Sequence, residues 1–252
     1  MNEFIKNLNR IEFSVTLACS GKCKHCSQGD HIHCADHIDG DVAADVLKKI
    51  CTAFKIESLM TFGGEPLLYA NDVCKIHREA KRMGIPKRQM ITNGYFNKDE
   101  AKIKEIAMKI AECGVNDILL SVDAFHQETI PLEPVKLFAE AIKSTELYIR
   151  THPAWLVSKE DPNPYNVKTR ELLKEFEQLG MKESSGNVIF PSGNAVKYLG
   201  EYFTGDELPD NPYEEDPEDV RAICISANGD VLSGNVYCTD IMKLIDEYQP
   251  KS

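Results

Sequence analysis

Three cysteines, Cys19, Cys23 and Cys26, lie within eight residues near the beginning of the chain. Their spacing places three thiol groups on one short loop, and thiolates are the ligands that iron–sulfur clusters prefer. Three protein ligands hold three corners of a four-iron cluster and leave the fourth iron open to a cofactor or a substrate. This arrangement favours a cluster with a reactive position.

A zinc site is the alternative interpretation of the same loop. A structural zinc ion normally has four protein ligands, so a fourth donor would have to complete the three cysteines. The candidates in the loop are His25, His31, His33 and Cys34. The spacing alone leaves this alternative open.

The elements that must position the loop show two hydrophobic periods. Residues 11, 13, 15 and 17 are apolar and alternate with polar neighbours, which predicts a strand, whereas apolar residues at 43, 46, 47, 50 and 54 share one face of a helix. Further strands are predicted at 58–62, 89–92, 117–122, 146–149 and 187–190, with helical patterns between them. Six strand–helix units in a row predict an α/β fold with a parallel sheet, either open and doubly wound or a partial barrel.

Residues suited to binding follow the ends of four predicted strands. They are the cysteine loop, Gly63-Gly64-Glu65, Asn93-Gly94 and Asp123. Because chemistry in parallel α/β folds gathers at the carboxyl ends of the strands, we expect these residues to meet at one rim.

Two motifs resemble those of the radical S-adenosylmethionine (SAM) superfamily. Cys19-Ser-Gly-Lys-Cys23-Lys-His25-Cys26 is similar to the cluster signature of that family, and Gly63-Gly64-Glu65-Pro66 is similar to its second motif. The resemblance extends over residues 10–195. It implies a partial (β/α)6 TIM-like barrel with a [4Fe–4S] cluster held by the three cysteines. It further implies that SAM binds the open iron and is cleaved to a 5′-deoxyadenosyl radical, which abstracts a hydrogen atom from a peptide or small-molecule substrate.

The resemblance also assigns SAM contacts after the second and third strands. Gly63 and Gly64 would let the backbone approach the methionine part of SAM, since neither has a Cβ. Glu65 would support the contact with the SAM amino group or hold its own loop. Asn93 would line the SAM pocket. The alternative for the glycine pair and for Asn93 is an ordinary turn.

Three more SAM contacts are implied after the fourth and fifth strands. Ser121 and Asp123 would contact the SAM carboxylate and ribose, because a carboxylate can accept hydrogen bonds from two hydroxyls. Arg150 would pair with the SAM carboxylate. The alternatives are a helix cap for Asp123 and an ordinary ion pair for Arg150. No residue is assigned a catalytic role.

Composition sets the expected compartment and partners. The net charge of −11 argues against general affinity for nucleic acid or anionic membranes. No apolar run is long enough to span a bilayer, and the first ten residues lack a signal-peptide pattern. We therefore expect a cytoplasmic protein, in which nine cysteines indicate metal binding rather than disulfides. The mechanism implies a low-potential electron donor such as flavodoxin or ferredoxin.

The last part of the chain departs from the strand–helix pattern. We expect a barrel over residues 1–197, and an acidic loop with a small C-terminal hairpin over 198–252. Cys224 and Cys238 resemble the remnant of an extension that carries auxiliary clusters in peptide-modifying members, but too few cysteines remain, so we predict no auxiliary cluster. Two other functions stay open: a glycyl-radical activating enzyme, and a non-catalytic iron–sulfur or zinc protein.

Overall fold

The computed structural model describes residues 2–30, 36–204 and 208–250 and folds them as alternating strands and helices. The strands are β1 (Arg10–Thr16), β2 (Ser58–Gly63), β3 (Lys87–Thr92), β4 (Asp117–Leu120), β5 (Ile149–Thr151), β6 (Ala154–Trp155), β7 (Lys182–Glu183), β8 (Asn187–Val188), β9 (Ala222–Ile225), β10 (Asp230–Val231) and β11 (Gly234–Asn235). The helices are α1 (Gly40–Ala53), α2 (Ala70–Arg82), α3 (Glu100–Glu112), α4 (Ala124–Gln127), α5 (Leu132–Lys143), α6 (Pro164–Gln178), α7 (Asn194–Leu199) and α8 (Ile241–Asp246).

Seven strands form one parallel sheet in the order β7-β5-β4-β3-β2-β1-β9. From β1 to β7, the strands of this sheet lie side by side in their order along the chain. Successive right-handed βα units produce this order. The sheet ends at β7 on one side and at β9 on the other. The fold is therefore the α/β partial barrel that the sequence predicts.

The alternation along β1 shows how the two faces of the sheet differ. Ile11, Phe13 and Val15 are fully buried in the main hydrophobic core, which the outer helices cover. Glu12 and Ser14 point to the opposite face, and Glu12 lines an interior cavity. The interior of the barrel is therefore the polar side of this strand.

The fifth strand begins later than the sequence pattern predicts. Glu146 has a φ of 66° in the turn that ends α5, which excludes it from the strand. Pairing with the fourth strand begins where the amide of Ile118 donates to the carbonyl of Tyr148. Arg150 therefore lies in the middle of β5 instead of at its end.

The predicted sixth strand does not join the main sheet. Lys182 and Glu183 occupy the sixth position, because β7 pairs with β5 in register Arg150↔Lys182. Gly186, with a φ of 71°, then turns the chain away from the sheet, so β8 pairs with β6 in a separate two-stranded sheet. A strand of two residues carries no periodic signal, and the sequence pattern therefore misplaced this element.

The C-terminal segment contributes a strand to the barrel. β9 lies parallel to β1 in register Glu12↔Cys224, whereas the sequence predicts only an appended hairpin. A short hairpin is present as β10 and β11, and Asn228-Gly229 lies in the turn between β9 and β10. Across the three described ranges, the helices are too short or too polar to cross a bilayer.

Candidate active site

A cavity of about 490 Å³ lies inside the barrel at the carboxyl ends of the strands. Cys19, Cys23 and Cys26 line one end of it, on the loop that follows β1. Glu12 on β1 and Cys224 on β9 also line it. Much of the remaining lining is apolar, and its apolar members are Met60, Phe62, Ile91, Pro153, Ala154, Val188, Ile189 and Phe190.

Backbone contacts fix the cysteine loop from behind. The amide of Cys26 donates to the carbonyl of Cys23 at 3.2 Å, which closes a turn between the two ligands. Asn194, at the start of α7, donates its backbone amide to the Cys26 carbonyl at 2.9 Å and its side-chain amide to the Cys23 carbonyl at 3.3 Å. Sequence reasoning missed this role, although Asn194 stands in the segment that it marks as the end of the barrel.

The three thiols are poorly solvated in the protein without metal. Burial raises the pKa of Cys19 to about 11 and also raises the pKa values of Cys23 and Cys26. The charge of Cys26 raises the pKa values of Cys19 and Cys23 further, and the charge of Cys19 raises that of Cys23. Binding of a positive metal centre therefore has to displace protons from these thiols and would relieve the repulsion between the thiolates.

Gly63 and Gly64 bring the end of β2 against the start of the cysteine loop. A Cβ on Gly64 would lie 2.1 Å from the carbonyl oxygen of Ala18, and a Cβ on Gly63 would lie 2.3 Å from that of Thr16. The amide of Gly64 donates to Thr16 at 2.7 Å. Both glycines line the cavity, and their close contact with backbone is a second reason for the absence of side chains.

Glu65 lies behind the cavity wall and is fully buried. Its carboxylate accepts hydrogen bonds from the amide of Leu67 at 2.9 Å, the hydroxyl of Thr92 at 2.7 Å and the amide of Asn93 at 2.8 Å. Burial raises its pKa to about 7, against the lowering effect of these hydrogen bonds. Of the two roles expected for Glu65, these contacts correspond to holding the loops after β2 and β3 together.

Asn93 lines the cavity beside the first cysteine. Its side-chain amide lies 3.6 Å from the sulfur of Cys19 and 3.2 Å from the hydroxyl of Ser20, to both of which it donates. Its side-chain oxygen accepts from the amide of Tyr95 at 2.8 Å. The residue therefore forms the predicted turn and also contacts the cluster loop.

Ser121 and Asp123 follow the fourth strand but differ in their access to the cavity. Ser121 lines it, whereas Asp123 is fully buried behind the wall. The Asp123 carboxylate caps α4 by accepting from the amide of His126, and it also accepts from the amide of Ala154 and lies 2.8 Å from Nδ1 of His126. Burial opposes its ionisation, but His126 holds the pKa of Asp123 well below its usual value.

His25, His126 and His152 line the cavity near the cysteines. His126 presents its second ring nitrogen to the site, because Asp123 contacts the first. The rings of His25 and His126 lie 4.8 Å apart, and burial lowers the pKa of His25 to about 4. His152, which the sequence pattern did not single out, also lines the cavity, and burial lowers its pKa to about 4.

Arg150 lies outside the cavity lining. Its guanidinium contacts both carboxylate oxygens of Asp117, at 2.8 and 3.3 Å, and stacks beside the ring of Tyr148. The structure therefore places Arg150 in the ion pair that was the alternative for this residue. The other zinc-ligand candidates of the loop, His31, His33 and Cys34, lie outside the described residues.

Comparison with protein families identifies the class. Residues 13–152 match the model of the radical SAM superfamily, so the chain belongs to that superfamily. It is an enzyme whose cofactors are a [4Fe–4S] cluster and SAM. The site fits both groups, since three thiols from one loop border a cavity that two glycines and Asn93 also line.

The curated relatives share only part of their length with this chain. The probable GTP 3′,8-cyclase of Methanocaldococcus jannaschii is 26% identical over 127 residues, which cover 50% of this chain and 40% of that protein. The GTP 3′,8-cyclase of Geobacter sulfurreducens is 26% identical over 133 residues, 51% of this chain and 38% of that protein. The chain therefore matches about two fifths of each relative.

Solved structures resemble almost the whole chain. Streptococcus suis SuiB bound to S-adenosylmethionine aligns with a TM-score of 0.62 at 14% identity, covering 96% of this chain and 67% of that one. The enzyme anSMEcpe with bound AdoMet aligns with a TM-score of 0.57 at 14% identity, covering 95% and 81%. At these identities the likeness shows a shared fold.

Proposed function

We propose that this chain cleaves SAM reductively at the cluster and abstracts a hydrogen atom from a peptide or a small molecule. The supporting observation is the single cavity that joins the three cysteines to the deep interior of the barrel. When bound, the cluster and SAM supply a 5′-deoxyadenosyl radical, which becomes 5′-deoxyadenosine as it takes the substrate hydrogen. Placement of the substrate in this cavity would keep water from the reacting carbon.

Each part of the proposed site has a separate task. Cys19, Cys23 and Cys26 would hold the cluster. Gly63 and Gly64 would leave room for the methionine part of SAM, and Asn93 and Ser121 offer polar side chains along the same wall. We propose that Glu65 and Asp123 act behind the wall, where Glu65 orients Asn93 and Asp123 orients His126.

Arg150 is not part of this proposal for SAM binding. Its guanidinium is engaged with Asp117 below the rim, so it would have to leave an ion pair to reach a ligand. His152, two residues further along the chain, lines the cavity in its place. We therefore assign the SAM carboxylate no arginine partner among the described lining residues.

A peptide or small-molecule substrate fits the cavity better than GTP, the substrate in the relatives' names. Lys22 is the one lysine or arginine among the described residues that line it, and Lys22 is exposed on the cysteine loop. A triphosphate carries several negative charges and is normally bound by several cationic or backbone N–H donors. Two structural relatives are peptide-bound in their solved forms, SuiB with the precursor SuiA and anSMEcpe with the Cp18Cys peptide.

We further propose that the enzyme works in the cytoplasm and receives electrons from flavodoxin or ferredoxin. The eight cysteines in the described part of the chain are free of disulfides, which suits a reducing compartment.

The proposal is tested by measuring 5′-deoxyadenosine after anaerobic reconstitution with iron and sulfide and addition of SAM and dithionite. We expect wild-type protein to form it and a variant with all three loop cysteines changed to alanine to form none. Cys51→Ala is the matched control, because Cys51 lies on α1 outside the described cavity lining. Loss of product in the control, or product from the triple variant, would contradict the assignment. GTP and a peptide pool added separately would show which substrate class raises the yield.

A further inference from the structure

The deep end of the cavity has its own set of polar side chains, away from the cysteines. Glu12 on β1 and Cys224 on β9 are register partners, and both line the cavity. Glu12 lies four residues before the end of β1, which places it about 13 Å below the rim at the usual rise of a strand. This end is therefore available to a part of the substrate that the cluster loop does not contact.

Glu12 is a largely buried carboxylate with one cationic partner. Its side chain is 13% exposed, and one oxygen lies 2.5 Å from the guanidinium of Arg10. Burial raises the pKa of Glu12, although Arg10 opposes the change. Burial and the charge of Glu12 raise the pKa of Cys224 to about 12, and the pKa of Tyr213 is raised by the same two causes. An added positive charge would relieve all three effects.

The hydroxyl of Ser14 is a second polar group on the same strand face, and it lacks a hydrogen-bond partner among the described residues. Ser14 lies two residues beyond Glu12, so its side chain points into the barrel on the same face. It is 6% exposed, and its buried hydroxyl has no hydrogen-bond partner among the described residues. Its register partner on β2 is Phe62, which lines the cavity. A buried hydroxyl without a partner is costly, and Ser14 itself lies behind the residues that line the cavity.

The wall of the cavity includes a strongly acidic segment, residues 208–221. Its Tyr213 contacts Asn187 through a hydrogen bond and the ring of Phe190 at 6.2 Å, and Tyr213 and Asn211 line the cavity. The segment contains six carboxylates and one arginine, and Arg221 is paired with Asp219. Exposed carboxylates beside the cavity would attract cations and repel anions.

We propose that the substrate carries a cationic nitrogen, an alkylammonium or guanidinium group, which binds against Glu12 at the deep end of the cavity. This inference rests on the proposed function, because it describes the substrate of the same cavity. The acidic segment would favour approach of the same charge, and the ligand's N–H groups could donate to Glu12. A basic side chain of a peptide meets these requirements, and a nucleoside triphosphate does not.

The test uses two probes that differ only in the terminal ammonium group, N-acetyl-lysine amide and N-acetyl-norleucine amide. Binding to the reconstituted protein with SAM is measured by calorimetry for wild type, Glu12→Gln and Glu133→Gln. Glu133 is the matched control, since it is 83% exposed on the outer helix α5. We expect wild type and the control to bind the lysine probe on the order of tenfold more tightly than the norleucine probe, and Glu12→Gln to lose the preference.

Equal binding of the two probes by wild type would overturn the inference, as would a preference retained in Glu12→Gln or no binding of either probe at millimolar concentration. Should Glu12→Gln fail to fold, the wild-type preference and its decline with added salt decide the question. Formation of 5′-deoxyadenosine in the same preparation separates the two proposals. Protein that cleaves SAM without preferring the cation refutes this inference alone, whereas a preference without SAM cleavage refutes only the proposed function.

Discussion

Gly64→Ala is the substitution for which the structure gives the most definite expectation. The new Cβ would lie 2.1 Å from the carbonyl oxygen of Ala18 and 2.6 Å from that of Leu17, both backbone atoms. Since carbon and oxygen normally stay about 3.3 Å apart, the loop after β2 and the cysteine loop must separate by about 1 Å. The separation would break the hydrogen bonds from Gly64 to Thr16 and from Glu65 to Ala18.

The energetic cost follows from these contacts. Overpacking costs about 1–3 kcal/mol, and each of the two lost hydrogen bonds costs about 1 kcal/mol, so the sum is about 3–5 kcal/mol at this junction. A displacement of about 1 Å between the cluster loop and the SAM wall can lower a rate about 100-fold. We therefore expect a folded protein with a large loss of SAM cleavage.

The assay compares iron content, urea unfolding and the rate of 5′-deoxyadenosine formation for wild type and Gly64→Ala. Gly200→Ala is the matched control, because a Cβ on Gly200 has no neighbour within 4 Å among the described residues and its φ is −55°. The control should match wild type in all three measurements. A Gly64→Ala rate within about threefold of wild type would refute the argument that close backbone contact sets the site geometry.

Three further substitutions test residues that hold the loops of the site in place. Asp123→Asn should lower the free energy of unfolding by about 1–3 kcal/mol at neutral pH. Because the pKa of Asp123 is lowered in the folded state, urea titrations should show this loss shrinking as pH falls below about 4. Glu65 has a raised pKa of about 7, so the stability of metal-free wild type relative to Glu65→Gln should fall as pH rises from about 4.5 to 7. A stability difference that does not change with pH would argue against a perturbed carboxyl group. Asn194→Ala removes a hydrogen bond to the carbonyl of Cys23 and should speed the release of iron to a chelator, whereas an unchanged release rate would show that the backbone contact suffices.

The local elements of the fold could be predicted from the sequence. Strand β1 has a clear period of two residues and helix α1 a clear period of 3.6 residues, and each formed within a few residues of the predicted positions. The cysteine loop and the glycine pair follow directly from strand ends, so their convergence required only a parallel sheet. These features depend on residues that are close together in the chain, so the sequence alone indicates them.

Features that depend on distant residues escaped prediction. β9 pairs with β1 across about 210 residues, and hydrophobic periodicity does not indicate which strands become neighbours. Cys224 and Tyr213 enter the cavity only because of that pairing and of the segment before β9. The side chain of Arg150 was expected at the rim, but the shorter fifth strand places it within reach of Asp117.

We propose that Cys19, Cys23 and Cys26 hold a cluster whose fourth iron binds SAM. The most direct measurement is the iron and sulfide content of the reconstituted protein, combined with electron paramagnetic resonance of the reduced form with and without SAM. We expect about four iron atoms per chain and a paramagnetic resonance signal of the cluster that changes when SAM is added. About eight iron atoms would instead show the auxiliary cluster that the sequence argues against. Bound zinc with no cluster, or a cluster signal that SAM leaves unchanged, would contradict a cluster with an iron open to SAM.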